Sequence, residues 1–181
     1  MKGRGARALL SLALLLGPAW TQPARAAHEV DAETLRRFVD RYYQEKALEA
    51  IGQELKEGIL RGEPGAVAQY VKAPLLCRRN TVSQQKVLAD LRNPNSDLYI
   101  YLFDAERYRK RFPNHPGRPM SLREYFQRAK DLRVVASAPE LVTGGISFQS
   151  SISTVNPYFE FVYHGPSGWA FGGLGFPGCE D

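Results

Sequence analysis

Three histidines, His28, His115 and His164, are the side chains best suited to hold a metal or move a proton near neutral pH. No two of them form a His-x-His or His-x-x-x-His pair, so a metal site would need distant residues to converge. Asp104, His164 and a serine between 147 and 153 suggest a hydrolytic triad on paper. There is no Gly-x-Ser-x-Gly elbow, however, and the serines alternate as sheet-surface residues do. Glu160 is the one acid within an aromatic strand. Facing an interior, its pKa would rise and make it an acid–base candidate; facing water, it is an ordinary carboxylate. Tyr158 and His164 join Glu160 as candidates for a ligand pocket. Gly172, Gly173 and Gly175 lack the Lys-Ser/Thr of a phosphate loop and suit a sharply bent last strand. No catalytic residue, metal or cofactor is expected.

Charge is the clearest unusual feature. Between Ala105 and Arg133 stand nine basic residues against three acidic ones, net +6, including Arg107, Arg109, Arg111 and Arg118. Residues 27–63 carry net −3, and those from Val134 onward net −4. A basic lip around the proline-rich stretch 112–119 would favour an anionic protein or envelope component. The competing reading is a solvated helix face balanced by the acidic first helix. Tyr99, Tyr101, Tyr108 and Trp169 would add aromatic anchors to such a surface.

Residues 1–26 combine Lys2, Arg4, Arg7 and Arg25 with an apolar run from Ala8 to Leu16 and a small-residue site at Ala24-Arg25-Ala26. This is the pattern of a secretory signal peptide. Its removal leaves 20 basic against 19 acidic residues in one domain, 27–181, expected to be periplasmic or secreted. The basic balance of the 181-residue chain thus belongs to its leader, which weighs against nucleic acid as a partner. The apolar run is too short to span a bilayer, so no transmembrane span is expected. Two cysteines in an exported protein permit one disulfide, Cys77–Cys179, worth roughly 4–5 kcal/mol by loop entropy.

These groups must be positioned by helices followed by strands. Leu35, Phe38, Val39 and Tyr42, then Ala47, Ile51 and Leu55, predict one amphipathic helix over residues 31–57 with these side chains toward the core. Glu63-Pro-Gly65 begins a shorter helix, and Leu75–Cys77 a brief strand. Thr81 is expected to cap the next helix, and Ser121-Leu-Arg-Glu124 forms a capping box for another. Residues 98–111 read equally as strand or helix. Strands are expected over 133–138, 146–155, 158–163 and 169–176, with Gly144-Gly145 in a turn.

The α+β order, helices first and then a meander of about four antiparallel strands, resembles the nuclear transport factor two-like, or cystatin-like, cone fold. Gly62-Glu-Pro-Gly-Ala-Val-Ala-Gln-Tyr-Val-Lys-Ala-Pro-Leu-Leu76 is similar to the helix-to-strand passage of small exported members. Gly168-Trp-Ala-Phe-Gly-Gly173 is similar to their last strand. The resemblance implies a curved sheet wrapped around the first helix, and a homodimer through the open face of the sheet. It transfers no chemistry, because that class includes enzymes, ligand binders and accessory domains. The expectation is a non-enzymatic exported binding or accessory protein acting through a basic and aromatic surface. The alternative is a small-ligand binder or small enzyme with a pocket between the first helix and the sheet. A third class, a toxin's immunity protein, fits the size and the export.

Overall fold

A computed structural model describes residues 31–77, 80–114 and 120–174. Helix α1 (Ala32–Arg61) is the longest element, at 30 residues. It stops at Gly62, whose positive φ of 74° suits the left-handed position after a helix. The Arg123 guanidinium donates to the Leu60 carbonyl there at 2.9 Å, placing a cation at the helix's negative end. Short α2 (Pro64–Ala68) follows, with proline in its first turn.

Strands β1 (Leu75–Cys77) and β2 (Asn80–Val82) come next. Thr81 lies in β2, so the cap of α3 (Gln84–Arg92) is Ser83, whose hydroxyl accepts from Lys86 N. The ambiguous stretch resolves into two helices, α4 (Asp97–Phe103) and α5 (Ala105–Arg111). Ser96 and Asp104 cap them, accepting from Tyr99 N and Arg107 N. The predicted cap at Ser121 is present on α6 (Leu122–Arg128), accepting from Glu124 N at 3.3 Å.

The remaining elements are β3 (Arg133–Glu140), β4 (Thr143–Gln149), β5 (Tyr158–Tyr163), a turn of 3-10 helix (Gly165–Ser167) and β6 (Trp169–Leu174). Gly144 and Gly145 lie inside β4 rather than in a turn. The reason is close packing on both faces. A Cβ at Gly144 would stand 2.5 Å from Leu48 Cδ1, and one at Gly145 would stand 1.9 Å from the Tyr158 hydroxyl.

The six strands form one mixed sheet in the order β2-β1-β6-β5-β4-β3. β1 runs parallel to β6, Leu76 beside Gly173, while the other neighbours are antiparallel. This corrects the cone expectation and its four-strand sheet: the α+β fold has an open, uncurled sheet, and it is not cystatin-like. Wrapping a sheet into a cone takes long, strongly bent strands. Here β1 and β2 have three residues each, and the two edges, β2 and β3, do not meet.

Only one face of the sheet carries α1. Gly52 of α1 sits against Val134 and Ile146, and Leu48 against Gly144. On that side Phe148, Phe159, Phe161 and Phe171 are fully or almost fully buried. Their rings follow one another across β4, β5 and β6 at 4.8 to 5.6 Å. Tyr70 closes the stack edge-on to Phe161 and Phe171 while its hydroxyl donates to Glu54 of α1 at 2.5 Å. Burial chiefly, and then the Glu54 carboxylate, push the Tyr70 phenol well above its ordinary pKa. Cys77 ends β1 and is buried. Cys179 lies outside the described residues. Cys77 is itself disulfide-bonded, and Cys179 is the partner the sequence offers it.

Candidate interaction surface

The core contribution of α1 comes from its second half alone: Leu48, Gly52, Leu55, Gly58 and Ile59 are buried. The hydrophobic residues of its first half are not. Leu35, Phe38, Val39, Tyr42 and Tyr43 are 56, 68, 41, 51 and 67% exposed. This corrects the prediction of one continuous core-facing stripe.

The cause is a phase break. Tyr42 and Ala47 are five residues apart, and at about 100° per residue that step turns the pattern by about 140° around the axis. Continued toward the N-terminus, the core stripe runs through Gln44, Arg41, Arg37 and Thr34, all polar. The first half of α1 therefore carries polar residues on the side in line with the core and apolar residues on the other. A helix designed only to lie on its own sheet has the reverse arrangement.

Two bonds mark where α1 leaves the sheet. The Arg41 guanidinium donates to the Pro139 carbonyl at 3.1 Å, and the Glu45 carboxylate accepts from Ala138 N at 3.3 Å. Both partners lie at the irregular end of β3, where the register with β4 shifts between Ser137 and Glu140. The turn that follows exposes Leu141 and Val142. The flanking charges are already matched within the chain. Arg37 pairs with Glu33 at 2.5 Å, Arg36 with Asp40 at 4.0 Å and Lys46 with Glu49 at 2.7 Å.

The residues singled out by type lie elsewhere, in separate places. Arg109 pairs with Glu124 at 2.8 Å and Arg111 with Asp97 at 3.0 Å. Arg107 pairs with Asp104 at 3.5 Å and donates to the Pro94 carbonyl and the Asn95 side chain. Arg128 shares Glu124 at 3.6 Å. Four bases of the run are thus paired through Asp104, Glu124 and Asp97, and the segment keeps an excess of positive charge. Arg118 and His115 lie outside the described residues, as does His28.

Tyr158 and Glu160 sit side by side on the sheet face opposite α1, and both are exposed. The Tyr158 ring covers Gly145, and Glu160 covers Gly173. Partial burial and the nearby Glu160 charge raise the Tyr158 pKa. His164 is exposed past the end of β5 and begins the 3-10 turn. These three do not converge on the space between α1 and the sheet, which the phenylalanine stack occupies. An open polar depression of about 280 Å³ lies at the other end of β3 and β4, lined by Asp131, Arg133, Gln149, Ser150, Ser151 and Asn156. Ser150 Oγ donates to Asp131 at 2.5 Å and Ser151 N at 3.0 Å, holding the Asp131 carboxyl down at about 2.

Among the described residues, no three or more His, Cys, Asp or Glu side chains are grouped to hold a metal ion, and no helix is long and apolar enough to cross a membrane. No protein-family model matches the chain, and neither a curated protein nor a solved structure shows significant similarity to it.

Proposed function

We propose that this chain is an exported, non-enzymatic binding or accessory protein, and that it acts by protein–protein contact through the outer face of α1. One observation carries the reading: large hydrophobic residues are gathered on the side of the helix turned away from the protein's own core. Surface hydrophobics scattered singly need no explanation, whereas a contiguous stripe on one helical face is the pattern of helix docking. Phe38, Tyr42 and Tyr43 supply the large, stiff side chains on which interfaces concentrate their energy.

This reading moves the contact surface from the basic lip to α1. Arg107, Arg109 and Arg111 spend their charge on Asp104, Glu124 and Asp97, which leaves less for an anionic partner. A pocket between α1 and the sheet has less support, because aromatic rings fill that space and Glu160 lies on the opposite face. Nucleic acid is not the partner this surface suits, since its flanking charges are balanced by intramolecular pairs. Export to the periplasm or exterior rests on the leader-like residues 1–26. A homodimer is one form that such contact takes.

The test is affinity capture from the exported fraction of the source cells with wild-type bait and a Phe38→Glu, Tyr42→Glu bait, confirmed with the purified partner. Selective loss with the double variant is expected. Equal binding by both baits, or loss only when Arg109 and Arg111 are replaced, would overturn the assignment to α1.

A further inference from the structure

We infer that the occupant of the α1 stripe is a second copy of the same stripe, packed antiparallel across a two-fold axis. The inference rests on the reading of α1 as the contact surface and names its partner.

The stripe is self-complementary about the midpoint between Phe38 and Val39. Antiparallel pairing there sets each Phe38 against the other chain's Val39, and each Leu35 against the other Tyr42. Large residues thus meet small ones in two symmetry-related sets, as an isologous contact requires. The charges raise no barrier to a like surface. Glu33 with Arg37, Arg36 with Asp40 and Lys46 with Glu49 are paired within each helix, while Arg41 and Glu45 are engaged by β3.

Five side chains exposing on the order of 100 Å² each offer roughly 500 Å² per chain, about 1,000 Å² over two copies, which reaches the lower bound for a specific interface. The first half of α1 is exposed from Ala32 to Val39, so the stripe is open to a second helix. The polar sides of both helices remain in water.

Sedimentation equilibrium of the exported protein from about 1 to about 500 μM tests the inference directly. The expected result is twice the monomer mass at the upper end, reduced to the monomer mass by Phe38→Glu, with an unchanged circular dichroism spectrum and melting temperature. A second measurement tests the orientation: chains carrying Leu35→Cys and Tyr42→Cys are oxidised alone and mixed. Antiparallel pairing predicts a cross-linked band chiefly in the mixture. A wild-type chain monomeric throughout would overturn the second-copy inference while leaving capture of a different protein by α1 to stand or fall on its own experiment. Self-association that persists in Phe38→Glu, or cross-links formed mainly by each variant alone, would also overturn it.

Discussion

The Glu45 carboxylate on α1 accepts the backbone N–H of Ala138 on β3 at 3.3 Å, at the point where the helix parts from the sheet. β3 is an edge strand, and its ladder with β4 is interrupted between Ser137 and Glu140, so this amide has a side chain as its partner in place of a strand. Together with Arg41 on the Pro139 carbonyl, the bond ties the overhanging half of α1 to the β3–β4 turn. Replacing Glu45 by Ala is expected to cost about 1 kcal/mol and to speed hydrogen exchange from Ala138 to Val142. Unchanged exchange there would show that the turn is held by other contacts.

The two stripes of α1 respond differently to truncation. Leu55→Ala removes a fully buried side chain and is expected to lower unfolding free energy by about 2–5 kcal/mol. Leu35→Ala, on the outer stripe, is expected to change the stability of the isolated chain by less than about 0.5 kcal/mol. Urea unfolding of the two variants at low protein concentration decides the matter, and similar losses would contradict the phase break.

Gly144 has close neighbours on the side where a Cβ would stand, with Leu48 Cδ1 at 2.5 Å and the Ser137 carbonyl at 2.9 Å. Gly144→Ala is therefore expected to destabilise by about 1–3 kcal/mol, because the carbonyl belongs to the neighbouring strand and cannot simply rotate away. Gly165→Ala meets no atom within 4 Å, but its φ of 57° makes it a test of backbone strain instead. A melting curve for Gly144→Ala that matches wild type would mean that β4 shifts freely against α1.

Asp131 is held at about 2, first by the Ser150 hydroxyl and then by the Ser151 side chain and backbone. The folded carboxyl ionises at lower pH than the unfolded one, so the unfolded chain binds this proton first on acidification. Its contribution to stability is complete above the ordinary carboxylate range and is lost as pH falls from there toward about 2. Carboxyl NMR should place the Asp131 midpoint near that value, with Ser150→Ala moving it upward. A midpoint that Ser150→Ala leaves in place would remove the hydroxyl as the cause.

Much of the local structure is legible in residue order. Ser121 with Glu124, the Leu75–Cys77 strand and the alternation of Tyr158–Tyr163 depend on neighbours a few positions away. Even the surface on α1 left a trace, the five-residue step from Tyr42 to Ala47, which a phase count exposes and a list of apolar spacings conceals. The pairing of the basic run was not legible along the chain: Arg111 pairs with Asp97, 14 residues away and outside the run, and Arg109 with Glu124, 15 residues away and within it.

Residue order by itself determined where α1, α2 and α6 begin, that Tyr158–Tyr163 alternates, and that the α1 hydrophobics fall in two phases. Only the tertiary structure decided which phase is buried. Among the described residues, α1 is buried only from Leu48 onward, beyond the Glu45 bond to the irregular end of β3. The parallel pairing of Leu76 with Gly173, nearly a hundred positions apart, likewise sets the sheet order without a local signal. Local preferences are additive over a few residues, whereas burial is a competition among all surfaces of the folded chain for one core.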